Sequence, residues 1–369
     1  MKLLVLAQTP PPLHGQSVMV QVLVQQLGNR PGLSLCHVNF QLSRDNADIG
    51  RWRSGKILRT IGLAGRAVVV GQREGCDTLY YVPSPPGKRG ALYRDWLAMA
   101  LCRPFFRRLV LHWQAAGLAE WLERDAHRIE QMLTRWFLGR ADLSVVVSDR
   151  LRADGDYLRA RTVAVVPNGV GDPGPPIPRR EPSRDFQALF LGLCSEEKGL
   201  FVAADAVVAA NARDGAGDDA PRFRLVAAGP FPDAAVENRF RELARRHPRA
   251  LAHAGFVGPA EKRELFAASQ CLIFPTQYPA EALPLVVLEA LAADLPVLAS
   301  RWRALPDVVT PECGTLVAPG HTDGFTDALL ALDRERPPAG HRRARYLAHY
   351  TTHHFLERFA AALVGLRDS

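Results

Sequence analysis

Two successive α/β units, each a parallel sheet wrapped by helices, are the fold class this chain predicts. Three observations carry that expectation. Short runs rich in Val and Leu alternate with helix-patterned stretches along the chain, the pattern of strands buried on both faces and joined by crossover helices. The alternation breaks once, at GVGDPGPPIPRREPSR (169–184), where proline and glycine can continue neither pattern. The charge also changes sign around that break: residues 1–180 hold 25 Lys and Arg against 14 Asp and Glu, and residues 181–369 hold 21 against 24. At 369 residues the chain is long for one core and comfortable for two. The expected domains are 1–175 and 183–350, with the rest of the break as linker.

In the first domain the expected strands are KLLVLAQ (2–8), LSLCHVNF (33–40), TLYYVP (78–83), RLVLHW (108–113), LSVVVS (143–148) and TVAVVP (162–167). They are largely unalternated, as strands covered on both sides are. Amphipathic stretches lie between them, such as 17–28 and a long one over 118–138. In the second domain the strands are FQALFLG (186–192), RFRLVAAG (222–229), CLIFPT (271–276), PVLAS (296–300) and GTLVAP (314–319), with helices over 234–246 and 261–269 among those between them. A final amphipathic segment, about 351–367, has no strand after it. In open sheets of this kind ligands sit beyond the carboxyl ends of the strands, so chemistry is expected in the loops that follow them.

Composition removes several classes. Hydrophobic residues are 47% and charged residues 23%, ordinary for a globular protein. No apolar run reaches the ~18 residues of a membrane span, and KLLVLAQ has the wrong length and flanks for a secretory signal. The six cysteines form no C-x-x-C pair, and the histidines form no H-E-x-x-H, so buried thiols in a cytoplasmic protein and no metal site are expected. A net charge of +8, concentrated in the first half, suits an anionic acceptor or an anionic membrane; no nucleic-acid motif accompanies it.

Four loops carry candidate chemistry. After the first strand, three prolines lead to His14, Gly15, Gln16 and Ser17, where Gly15 lets a phosphate approach a helix start and Ser17 reads as an N-cap. G-x-G-x-x-G is missing, which argues against a nicotinamide enzyme. His112 stands near the end of the fourth strand, and Asn168-Gly169 is a turn signal. Lys198 precedes Gly199 at an expected helix start, where an ammonium faces an anion. In PTQYPAEALPLVVLEALAAD, Glu281 and Glu289 enclose seven residues. The first lies in a proline-flanked turn at a helix mouth and the second within the helix; on an ideal helix they point about 80° apart. Proline suits the first helical turn, and Leu285 and Val286 there offer N–H groups to a diphosphate.

These residues, in this order, resemble family 4 of the retaining, nucleotide-sugar-dependent glycosyltransferases. The resemblance spans nearly the whole chain and implies a GT-B fold: two Rossmann-like domains whose parallel sheets face a central cleft, with the C-terminal helix (351–369) crossing back to the first domain. It implies that Gly15 faces the donor diphosphate, that His112 lies close to the donor sugar, that Glu281 contacts that sugar and that Glu289 binds the ribose hydroxyls. Lys198 matches the family's lysine, while Leu193 stands where the family carries an arginine, and Ala282, Leu283 and Pro284 replace its glycines. The P-N-G segment at 167–169 is read as structural.

The activity so implied is metal-independent transfer of a sugar, with retention, from a UDP-, GDP- or other nucleotide-sugar to a glycan or lipid-linked acceptor in cell-surface polysaccharide or glycoconjugate assembly. No separate cofactor is expected. The alternatives are a nucleotide-sugar epimerase of the same fold, a non-catalytic nucleotide-sugar-binding subunit, and a basic-surface binding module. The mixed basic and apolar stretch 88–113 is an ordinary core helix and strand, or a peripheral contact with the inner face of an anionic membrane.

Overall fold

The computed structural model describes residues 1–42, 54–176, 186–215, 220–335 and 337–366. The chain forms two compact units. The first comprises residues 1–169, 279–283 and the C-terminal segment from 352; the second comprises residues 170–278 and 284–351. The second half of the 169–184 break, including position 183, lies outside the described residues.

The first unit runs β1 (Lys2–Ala7), α1 (Gly15–Gln26), β2 (Ser34–Asn39), α2 (Ser54–Glu74), β3 (Thr78–Tyr81), α3 (Arg89–Cys102), β4 (Arg108–Trp113), α4 (Leu118–Arg124), α5 (Arg128–Leu138), β5 (Leu143–Val146), α6 (Ala153–Tyr157) and β6 (Thr162–Val165). Its six strands are all parallel, in the order β2-β1-β3-β4-β5-β6. The core gathers Leu4, Leu6, Tyr81, Leu109, Leu111 and Trp113 from the strands.

The second unit runs β7 (Phe186–Leu191), α7 (Leu200–Arg213), β8 (Phe223–Ala228), α8 (Ala234–Arg246), β9 (Leu251–Gly255), α9 (Pro259–Ala268), β10 (Cys271–Phe274), α10 (Leu285–Ala292), β11 (Val297–Ser300), α11 (Leu305–Val308), β12 (Gly314–Val317), α12 (Thr322–Glu335) and α13 (His341–His349). Its sheet is also six-stranded and parallel, in the order β12-β11-β10-β7-β8-β9. Alanines at 203, 204, 206 and 210 give α7 a low-profile face, so it packs closely under α12 and the sheet. The last helix, α14 (Thr352–Val364), returns to the first unit. There Phe359 lies 5.9 Å from the Tyr80 ring.

Three details differ from the pattern-based expectation. The stretch 118–138 is two helices, because the Glu130 carboxylate turns back to accept from His127 N at 2.9 Å and starts a new helix there. Gln131 Nε2 meanwhile donates to Leu122 O at 2.9 Å, closing the end of α4. Strand β9 was not anticipated: it is an edge strand whose Ala252, His253 and Ala254 are exposed, so it lacks an apolar run. Ser17 is not the N-cap of α1. His14 is, its Nδ1 accepting from Ser17 N at 3.2 Å while Ser17 Oγ accepts from His14 N at 3.1 Å. The six cysteines are free, and all but Cys36 are buried.

In the second unit, Arg342 is 1% exposed. Its Nε donates to Asp294 O at 2.9 Å and its Nη2 to Pro338 O at 2.8 Å. The Asp294 carboxylate lies 3.3 Å from Nε and accepts from Gly340 N at 2.6 Å, at the start of α13. Arg342→Ala strips a buried carboxylate and two carbonyls of their partner. We expect it to lower stability by about 3–5 kcal/mol, read as a shift of the urea unfolding midpoint; a shift equal to that of an exposed arginine such as Arg246 would contradict this account.

Candidate functional site

In the first unit, the β1 loop delivers Gly15 as the first residue of α1, exposed and directly after the His14 cap. Burial holds the His14 pKa below the usual histidine range, which keeps Nδ1 an acceptor. The cap satisfies Ser17 N, and Val18 N bonds His14 O at 3.1 Å. The N–H groups of Gly15 and Gln16 lie ahead of the helix's own ladder, as first-turn donors do, an arrangement that suits an anion.

His112, on β4, is 1% exposed, and burial pushes its pKa down to about 3. It is therefore neutral, and its tautomer follows from its neighbours. Asn168 Nδ2 donates to Leu283 O at 3.1 Å, so Asn168 Oδ1 is the acceptor for Gln114 Nε2 at 2.9 Å. The second hydrogen of that amide goes to His112 Nε2 at 2.8 Å. The ring proton is left on Nδ1, which meets Tyr80 Oη at 2.7 Å. Phe355 stacks 6.1 Å from the ring and Phe359 lies 5.3 Å away. Both ring nitrogens are thus engaged inside the first unit.

The same network anchors the segment that carries Glu281. Residues 279–283 belong to the first unit; Ala116 N donates to Ala280 O at 3.3 Å, and Asn168 holds Leu283 O. Glu281 itself is buried, at 6% exposure. It lies outside any helix, because α10 starts only at Leu285. Asn168, expected only as a turn residue, is 2% exposed and ties this loop to β4 through its side chain. Gln114 was not singled out from sequence; its signal, a polar side chain two residues past His112, is too common to read alone.

In the second unit, Gly199 takes φ +85 as the cap before α7. A Cβ there would stand 2.2 Å from Pro275 O, so only glycine lets the β7 loop lie this close to the end of β10. Lys198 is thereby brought over the rings of Tyr278 and Phe274, at 4.7 and 5.7 Å. Leu193, in the same loop, is 41% exposed. Pro284 caps α10 without a side-chain bond. Val287 N bonds Pro284 O at 3.2 Å, and Leu285 and Val286 occupy the first-turn positions whose N–H groups precede the ladder.

Glu289, on the second turn of α10, lines a cavity of about 220 Å³ together with Pro173, Pro175, Pro259, Lys262 and Phe266. Lys262, on α9, reaches Glu289 Oε1 at 2.5 Å. Lys262 was not anticipated from sequence, since a lysine in a charged helix start reads as solvated; only the packing of α9 beside α10 brings it to the carboxylate. The cavity combines the Glu289 carboxylate, the Lys262 ammonium and the Arg263 guanidinium with apolar proline and phenyl walls, a lining suited to a polar ring compound. Among the described residues no three His, Cys, Asp or Glu side chains come together as a metal site would require.

Residues 185–334 match the family described as glycosyl transferases group 1. A 74-residue stretch is 41% identical to an MMP alpha-(1->4)-mannosyltransferase of Mycolicibacterium hassiacum, covering 20% of this chain and 18% of that protein. Over the whole length, the structure is similar to sucrose-phosphate synthase from Thermosynechococcus elongatus, with a TM-score of 0.75, 17% identity and full coverage of both chains. It is also similar to Anabaena HepE in complex with UDP-glucose, with a TM-score of 0.70, 17% identity, and coverage of 99% of this chain and 100% of that one. Two six-stranded parallel sheets in this arrangement of elements thus give the chain the GT-B fold, and residues 185–334 of its second unit are similar to glycosyl transferases group 1.

Proposed function

We propose that this protein is a retaining glycosyltransferase that moves a sugar from a nucleoside diphosphate donor to a glycan or lipid-linked acceptor. The observation that carries the reading is Glu289, which lies within the stretch matching glycosyl transferases group 1 and lines the cavity beside Lys262. The second unit holds the donor nucleotide. Lys262 engages Glu289 Oε1, leaving Oε2 as the acceptor for a ribose hydroxyl, while the proline and phenyl walls take the base. The solved structure of a similar protein with UDP-glucose bound fits a donor of this class.

Charge on the departing diphosphate is met in the second unit by the Lys198 ammonium and by first-turn N–H groups at Leu285 and Val286, the electrostatic role that usually dominates such reactions; in the first unit Gly15 offers a donor of the same kind. The acceptor hydroxyl forms its bond to the anomeric carbon on the face the diphosphate leaves. The carbon–oxygen bond to the diphosphate breaks, and a diphosphate oxygen takes the hydroxyl proton. No protein base and no metal enter this step. Glu281 orients the sugar through its hydroxyls. His112, neutral and held at both nitrogens, passes no proton in this step. Leu193, at the position of the family's arginine, favours a second reading, in which the nucleotide-sugar is bound without turnover.

Glu289→Gln should weaken donor binding about tenfold or more, the loss of one charge-assisted contact, by calorimetry with nucleoside diphosphates. Equal affinity in wild type and variant would remove the ribose role. Wild-type transfer should persist in EDTA, and Glu281→Gln should lose turnover while its unfolding midpoint and nucleotide affinity stay unchanged. Nucleotide binding with no transfer in any acceptor panel would leave the second reading standing.

The low pKa of His112 also sets a pH dependence. Its folded value of about 3 lies below the ordinary 6.5, so between these values the unfolded chain takes up a proton that the native chain refuses. Stability therefore falls as pH drops through that window. His112→Gln should show a smaller loss in urea midpoint between pH 7 and pH 4 than wild type; an unchanged slope would refute the assignment.

A further inference from the structure

The large apolar side chains exposed on the first unit are concentrated on two helices. On α2, Thr60, Ala64, Ala67 and Gly71 face inward, with Gly71 so close to Phe106 that a Cβ would stand 2.6 Å from its ring. Small residues there sink the helix into the unit. The outward side carries Ile57, Leu58, Ile61 and Val69, with Leu58 73% exposed. Beside that stripe run Arg59, Arg66 and Arg73, spaced by seven and therefore aligned along the helix. Among the described residues these three make no ion pair. The only acid on α2 is Glu74 at its end, paired with Lys2 at 2.9 Å.

Helix α5 repeats the pattern. Ile129, Met132 and Trp136 lie on one outward line, with Trp136 77% exposed, and Arg128 and Arg135 are exposed beside them. Its one acid, Glu130, is buried and bonded to Tyr93 at 2.6 Å and to Arg89 at 3.0 Å. Helix α3 packs against both α2 and α5. The crossovers carrying α2, α3 and α5 all step the same way across the sheet, so right-handed connection puts the three on one face.

From this we infer that the outward faces of α2 and α5, on one side of the first unit, dock on an anionic lipid surface. An interfacial helix has an apolar stripe, a basic flank and an aromatic side chain at headgroup depth; α2 and α5 supply all three on one face. Charge selects lipid over a second copy of this chain. A twofold self-contact would set the Arg59, Arg66 and Arg73 row against its own copy, whereas anionic headgroups neutralise it at about 1 kcal/mol for each basic side chain. The stretch 88–113, read as a core helix and strand or as a membrane contact, offers fewer free cations: Arg89, Arg94 and Arg108 are ion-paired to Glu130, Asp95 and Asp77, and Arg103 Nη1 caps Phe137 O at 2.9 Å. No described helix is long and apolar enough to cross a membrane, so the contact is one of docking. The inference is independent of donor chemistry.

Flotation of the full chain with phosphatidylcholine vesicles, with and without phosphatidylglycerol, tests it. Binding should require the anionic lipid, weaken with salt, and shift tryptophan emission to the blue. Arg59→Glu with Arg66→Glu should lower partitioning about tenfold or more, and Leu58→Ser with Trp136→Ser should abolish the emission shift, all with unchanged melting temperatures. Absence of binding to anionic vesicles at low salt would overturn the inference. So would binding indifferent to these substitutions, or a concentration-dependent dimer that the same substitutions dissolve in place of vesicle binding.

Discussion

A parallel sheet can leave neither face wet, because each strand must be joined to the next by a crossover that covers the sheet. Everything else in this protein depends on that constraint. β10 is apolar along its whole length and β1 from Leu3 onward, and these residues are buried. Charged and polar chemistry is thereby excluded from the sheets and pushed into the loops after the strands. Gly15 follows β1, Lys198 follows β7, and Glu281 follows β10.

One exception is instructive. His112 is a polar group within β4, and its burial is tolerated because its proton is withheld and both nitrogens are bonded. The network that satisfies it continues through Gln114 and Asn168 to Leu283 O. One buried imidazole therefore fixes the position of the loop bearing Glu281. A half-satisfied network of this kind would be worse than an apolar core, which is why Tyr80, Gln114 and Asn168 act together.

Cations in both units sit at defined partners: Arg94 on Asp95 in the first, and Lys198 over the Tyr278 ring, Lys262 on Glu289 and Arg342 against Asp294 in the second. Each partner limits how far the cation can move. In the first unit, the arginine row of α2 is left at the surface beside exposed aliphatic side chains. Such a surface suits a plane of charge better than a single anion. The proposed donor site and the proposed docking face use different residues, so substitution can separate them.

Much of the fold was legible in the sequence. Eleven of the strands were recognisable because they are apolar runs of the right length, and the twelfth, β9, was missed because an edge strand need not be apolar. The break between α4 and α5 was hidden because the side-chain bond that makes it, Glu130 to His127 N, competes invisibly with helical periodicity. Lys198, Gly199 and the spacing of Glu281 and Glu289 could be read directly, since they are local in sequence. What only the tertiary structure decided are the long-range partnerships: Lys262 with Glu289, Asn168 with Leu283, and the shared face of α2 and α5. A sequence records the period and propensity of each segment, but which side chains meet across segments is settled by packing, where one helix's rotation chooses the neighbour its charges will have.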